Sequence, residues 1–61
     1  MKLPQDPNML LSLLNTKLRD YYRDLDALCE DMGLDRPALE ARLAQLGFVY
    51  RAEYNRLERK P

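Results

Sequence analysis

The sequence contains no histidine, no tryptophan, a single cysteine (Cys29) and only two glycines. Each shortage closes off a class of function. Without histidine, Ser-His or Cys-His nucleophile pairs and histidine general-base chemistry cannot be assembled within one chain. One cysteine gives no disulfide scaffold. A structural zinc site draws its four ligands mostly from Cys and His, and this chain offers one such residue. With no pocket-forming glycine loops and so small a core, Asp20 and Asp24 do not make a glycosidase-like carboxylate pair. The longest apolar run is interrupted at Ser12, far short of the roughly 20 residues that span a bilayer. No metal, cofactor or small-molecule substrate is expected, nor a membrane association. With the residues of an active site missing, an enzyme is not expected.

What remains is one small domain, 1–61. Charged residues are 33% and apolar residues 46% of the chain, the balance of a folding sequence rather than a disordered one. Ten bases meet ten acids, so the chain as a whole has no long-range attraction to nucleic acid or to an anionic membrane. The distribution is uneven. Residues 1–40 carry five bases against eight acids, net −3, and residues 41–61 carry five bases against two acids, net +3. The start, Met1-Lys2-Leu3-Pro4-Gln5-Asp6-Pro7, has no apolar run and does not read as a signal peptide. A cytoplasmic protein with a reduced thiol is expected. A chain this short buries only about 60% of its unfolded surface, and dimerisation is a common remedy.

Punctuation along the chain predicts three helices. Asp6-Pro7 is an N-cap followed by proline at the first helical position, where a missing N–H costs nothing; the first helix should cover about 7–22. Asp24 caps a second helix, 24–32, whose Leu25, Leu28, Cys29 and Met32 fall at i, i+3, i+4 and i+7. Gly33 is free to end it in the left-handed conformation. Asp35 caps a third helix, 35–46, with Leu34 and Leu39 placed as a hydrophobic staple and Gly47 as its stop. Asp24, Asp26, Glu30 and Asp31 resemble a calcium loop but lack the glycine at its sixth position, so they read as capping and first-turn charge. Cys29, on an apolar stripe, reads as a buried, inert thiol. In the tail, 48–58, Phe48-Val49-Tyr50 is β-prone and Asn55 is a turn residue, which favours a hairpin. The i, i+4, i+7 spacing of Tyr50, Tyr54 and Leu57 would also suit a helix. The expected fold is thus mainly α, a compact three-helix domain with a helix-turn-helix-like core and a short C-terminal β-hairpin.

On a wheel with Leu10 at zero, apolar residues of the first helix cover about 220°, whereas a surface helix needs somewhat over 100°. Leu14, Leu18, Tyr21, Leu11 and Tyr22 lie on one side, Leu13 and Met9 on the other. Either this helix is central and all of its neighbours share the arc, or one flank meets a second chain. Met9, Leu11, Leu13 and Tyr22 are therefore the candidate interface with a protein partner or a second copy. Lys17 lies inside the arc, where its stem would lie on apolar surface or its ammonium would pair with an acid of the second helix.

Residues 25–43 have the two helices and glycine-containing turn of a helix-turn-helix. The alternative function is a minimal winged-helix-like DNA-binding protein, with the third helix in the major groove. It would use Arg36, Arg42 and Gln45 on bases and Arg51, Arg56, Arg59 and Lys60 on phosphates, against the repulsion of Asp35 and Glu40.

Three segments carry a wider likeness: Leu3-Pro4-Gln5-Asp6-Pro7-Asn8-Met9-Leu10-Leu11-Ser12 with Asn15-Thr16-Lys17-Leu18-Arg19-Asp20, Leu25-Asp26-Ala27-Leu28-Cys29-Glu30-Asp31, and Leu46-Gly47-Phe48-Val49-Tyr50. Together they resemble a family of small bacterial proteins known as a domain of unknown function, the forty-two-fifty domain. The resemblance spans nearly the whole chain. It implies a bacterial cytoplasmic protein of about this length and no activity. The family's tail reads as an acidic turn with an Asn between two strands, whereas Arg51-Ala52-Glu53-Tyr54-Asn55-Arg56 is more basic and more helix-tolerant.

Overall fold

Three aspartates set the helix starts. The computed structural model describes residues 3–61; Met1 and Lys2, part of the start that reads as no signal peptide, lie outside the described residues. Helix α1 spans Pro7–Asp20, α2 Leu25–Met32 and α3 Arg36–Gln45, followed by strands β1 Phe48–Arg51 and β2 Arg56–Arg59. Asp6 accepts from Met9 N at 2.9 Å, Asp24 from Ala27 N at 2.8 Å and Asp35 from Ala38 N at 3.2 Å. Each carboxylate satisfies an amide that the first helical turn leaves open. Gly33, at φ 70°, closes α2 in a Schellman turn: Leu34 N donates to Cys29 O at 2.8 Å and Gly33 N to Glu30 O at 3.4 Å.

The tail is a hairpin. β1 and β2 are antiparallel, with Tyr50 opposite Leu57 and Phe48 opposite Arg59. Its turn is set by Asn55 at φ +51°, a left-handed conformation that asparagine tolerates better than most residues. The core draws on every element: Leu10, Leu14 and Leu18 from α1, Leu25, Leu28 and Cys29 from α2, Leu39 and Leu43 from α3, Phe48 from β1 and Leu57 from β2. Leu34 packs against this cluster, to which Leu39 belongs. No helix among the described residues is long and apolar enough to cross a membrane.

Helix α1 ends at Asp20, short of the expected Tyr22. The cause is the hairpin. Tyr21 N and Tyr22 N both return to Lys17 O, at 2.8 and 3.0 Å. The carbonyls of Leu18 and Tyr22 are taken instead by the Asn55 amide, at 3.0 and 2.9 Å. A side chain from 33 residues further along the chain thus replaces the next turn of helix.

Candidate functional site

Helix α1 divides its wide apolar arc between the core and the surface. Leu10, Leu14 and Leu18 are buried, and on one flank Leu11 and Tyr22 are half-buried and pack against the core. The Tyr22 hydroxyl donates to Asp31 of α2, and that charged partner raises the phenol pKa above its ordinary value. The hairpin and α2 therefore account for this flank. The other flank is open: Met9 is 62% exposed and Leu13 half-exposed, and Tyr21, which the wheel groups with Leu11 and Tyr22, is 70% exposed as well. Lys17 neither leaves for solvent alone nor joins an acid of α2; its ammonium lies 5.1 Å from the centre of the Tyr21 ring, a cation–π contact that keeps its stem on the same face. Met9, Leu13, Lys17 and Tyr21 follow at intervals of four, a stripe about 18 Å long.

The basic residues proposed for DNA fall into different circumstances. Arg36 is held by Asp26 at 2.7 Å and by Glu40 at 2.8 Å, and also lies 5.7 Å from the Tyr50 ring. These two carboxylates raise its pKa still further. Its fork is occupied inside the protein rather than presented from α3. Arg42 and Gln45 are exposed on α3. Arg51 and Arg56 both turn to Glu58 of the hairpin, and this holds the Glu58 carboxyl below its ordinary pKa, Arg56 being the stronger partner.

Two asparagines tie the hairpin to the helices. Asn15 pairs with the β2 backbone as a neighbouring strand would: Leu57 N donates to its Oδ1 at 2.7 Å and its Nδ2 donates to Leu57 O at 3.0 Å. Asn55 grips the end of α1, and its Oδ1 accepts from the Tyr50 hydroxyl at 2.7 Å. That hydroxyl in turn accepts from Leu25 N at 3.2 Å, an open amide in the first turn of α2. In the sequence Asn55 reads only as a turn former, and Asn15 carries no assigned role. The signal for both is an amide, able to donate and accept at once, at a half-buried position.

Between the polar face of α1 and the hairpin runs an open groove of about 820 Å³. Arg19, Arg56, Arg59 and Tyr54 line it together with the polar side chains of α1. Cys29 is buried at 3% exposure, and burial pushes its thiol pKa up, which is the environment of an inert thiol. Among the described residues no group of acids, cysteines or histidines is arranged to hold a metal ion.

Comparison with known proteins gives one result. The family model described as Domain of unknown function (DUF4250) matches residues 4–57, from the Pro4 that precedes the α1 cap to the Leu57 that closes the core. No curated protein and no solved structure matches the chain. The match takes in all three helices and most of the hairpin, and the chain belongs to this family, the Domain of unknown function (DUF4250).

Proposed function

We propose that this protein is a non-enzymatic interaction module of the bacterial cytoplasm that associates with a second copy of itself through the open flank of α1. The observation that carries the reading is one stripe on which Met9 and Tyr21 are exposed and Leu13 is half-exposed, while Leu10, Leu11, Leu14 and Leu18 of α1 pack inward. Apolar side chains grouped in this way lose water when two such helices meet. Two stripes crossing antiparallel about a two-fold axis bring the Met9 end of one helix to the Tyr21 end of the other, so one patch serves both sides. The small size of the domain adds a motive, since a second copy supplies core that 61 residues lack. The patch is narrow, which places the contact at the weak, transient end of interfaces, below about 1,200 Å² in total.

The test is sedimentation equilibrium from about 10 μM to about 1 mM, on the parent chain and on Leu13→Glu. Leu13 lies outside the buried core, so the variant is expected to keep its thermal midpoint while losing the concentration-dependent rise in mass. A parent chain that stays monomeric throughout, or a Leu13→Glu variant that associates as the parent does, would overturn the reading.

A further inference from the structure

The groove between α1 and the hairpin carries more guanidinium charge than its carboxylates neutralise. Arg19 of α1 and Arg56 and Arg59 of β2 line it, and no acidic residue does. Arg19 is matched by its own neighbour Asp20, at 2.9 Å. Glu58 takes both Nε and Nη2 of Arg56, the Nε at 2.7 Å, and also holds Arg51, which lies outside the groove, at 3.3 Å, so Arg56 is neutralised within the hairpin. Arg59 donates to the neutral amide oxygen of Asn8 and joins no ion pair among the described residues. Beside these charges stands Tyr54, 67% exposed, with the Arg56 guanidinium 5.3 Å from its ring centre. A chain of zero net charge thus places one unneutralised arginine, Arg59, and an exposed aromatic ring in the same groove.

Each part of the groove suits a part of a nucleotide. Guanidinium forks match phosphate oxygens two at a time. An exposed ring beside them offers a stacking surface for a base, a combination typical of sequence-tolerant single-strand binding. Asn8, Ser12 and Thr16 of α1 add neutral hydrogen-bonding groups for sugar and base edges. An acidic peptide would use the arginines and leave the ring idle. We propose that this groove binds nucleotide units, with phosphate on Arg59 and a base against Tyr54. This site differs from a recognition helix in a major groove, because α3 takes no part in it. It also stands apart from the self-association reading, since the arginine and the ring it rests on belong to the hairpin, whereas the self-association stripe belongs to α1 and its C-cap.

The experiment is fluorescence anisotropy of the full chain with a labelled oligothymidylate of about eight nucleotides, at low and moderate salt. Unlabelled thymidine monophosphate and an oligoglutamate serve as competitors. Binding is expected to weaken with salt, with a slope of about 0.7 in log K per log salt for each phosphate contacted. Arg59→Gln and Tyr54→Ala, both exposed positions, should each weaken binding about fivefold or more. Arg23→Gln, an exposed arginine outside the groove, should leave it unchanged. Competition by the mononucleotide at matched phosphate concentration would identify a free nucleotide as the source; competition by strands alone would identify single-stranded nucleic acid. Absence of oligonucleotide binding at low salt would overturn the proposal. So would binding indifferent to Arg59→Gln and Tyr54→Ala, or oligoglutamate competing as well as the oligonucleotide.

Discussion

Asn55 is the side chain on which the hairpin depends most, and its replacement can be worked through. Asn55→Ala removes two hydrogen bonds to carbonyls, at 3.0 and 2.9 Å, and one from the Tyr50 hydroxyl at 2.7 Å. At about 1 kcal/mol net for each bond, this is about 3 kcal/mol. Alanine at φ +51° adds about 1 kcal/mol of backbone strain that asparagine largely escapes. The site is only partly buried, so water reaches some of the freed groups, and the net loss is expected at about 2–4 kcal/mol. A domain of this length has about 3–9 kcal/mol in all, so the variant stands near the edge of folding. Asn55→Gly separates the two causes. It accepts the backbone conformation without strain and should recover about 1 kcal/mol of the loss. The assay is urea unfolding followed by circular dichroism for all three chains. An Asn55→Ala variant within about 0.5 kcal/mol of the parent, the range of ordinary surface substitutions, would refute the claim that this amide network fastens the hairpin to α1. A glycine variant no more stable than the alanine variant would refute the strain component.

Other consequences follow from the same geometry. Asn15→Leu keeps the branching of the side chain but strands the amide and carbonyl of Leu57, and should cost about 2–3 kcal/mol in the same unfolding assay. The Glu58 carboxyl is held below its ordinary pKa of 4.5 by Arg56 and then Arg51. A lowered folded pKa contributes stability that is present above the unfolded value and lost as pH falls through the folded one. The thermal midpoint should therefore decline below about pH 4.5, and Glu58→Gln should decline less steeply over that range. The Cys29 thiol has its pKa raised, burial being the main cause. It should resist alkylation in the native protein and react rapidly once urea unfolds the chain, as read by mass spectrometry. Rapid native labelling would show that α2 does not bury it.

The helices were legible in the sequence because their determinants are local. Asp6, Asp24 and Asp35 each lie three residues before the amide they cap, and Gly33 ends α2 by its own backbone freedom, so pattern alone locates them. The tail was less legible because its determinant is not local. Within 48–58 the β-prone Phe48-Val49-Tyr50 competes with a helical spacing of Tyr50, Tyr54 and Leu57. What decides between them is Asn55 reaching Leu18 and Tyr22, and Asn15 reaching Leu57, contacts separated by 33 to 42 residues. The same contacts explain the early end of α1. The division of its apolar arc was equally hidden: a wheel shows that Leu11, Tyr22, Met9 and Leu13 flank the core stripe, but only the packing of the other elements shows which flank they cover. Among the charged residues, sequence pattern identifies Arg36 and Arg42 alike as exposed on the third helix. Asp26 approaching from α2, Glu40 one turn on and the Tyr50 ring separate them.

The most direct measurement is a dilution series of two-dimensional amide NMR spectra, which reports both whether the chain associates and where. We expect the signals of Met9, Leu13, Lys17 and Tyr21 to move together with protein concentration, while those of Leu11, Asn15 and Tyr22 on the covered flank hold still. Shifts confined to another surface, or spectra unchanged on dilution, would contradict the assignment of the open flank of α1 as the contact face.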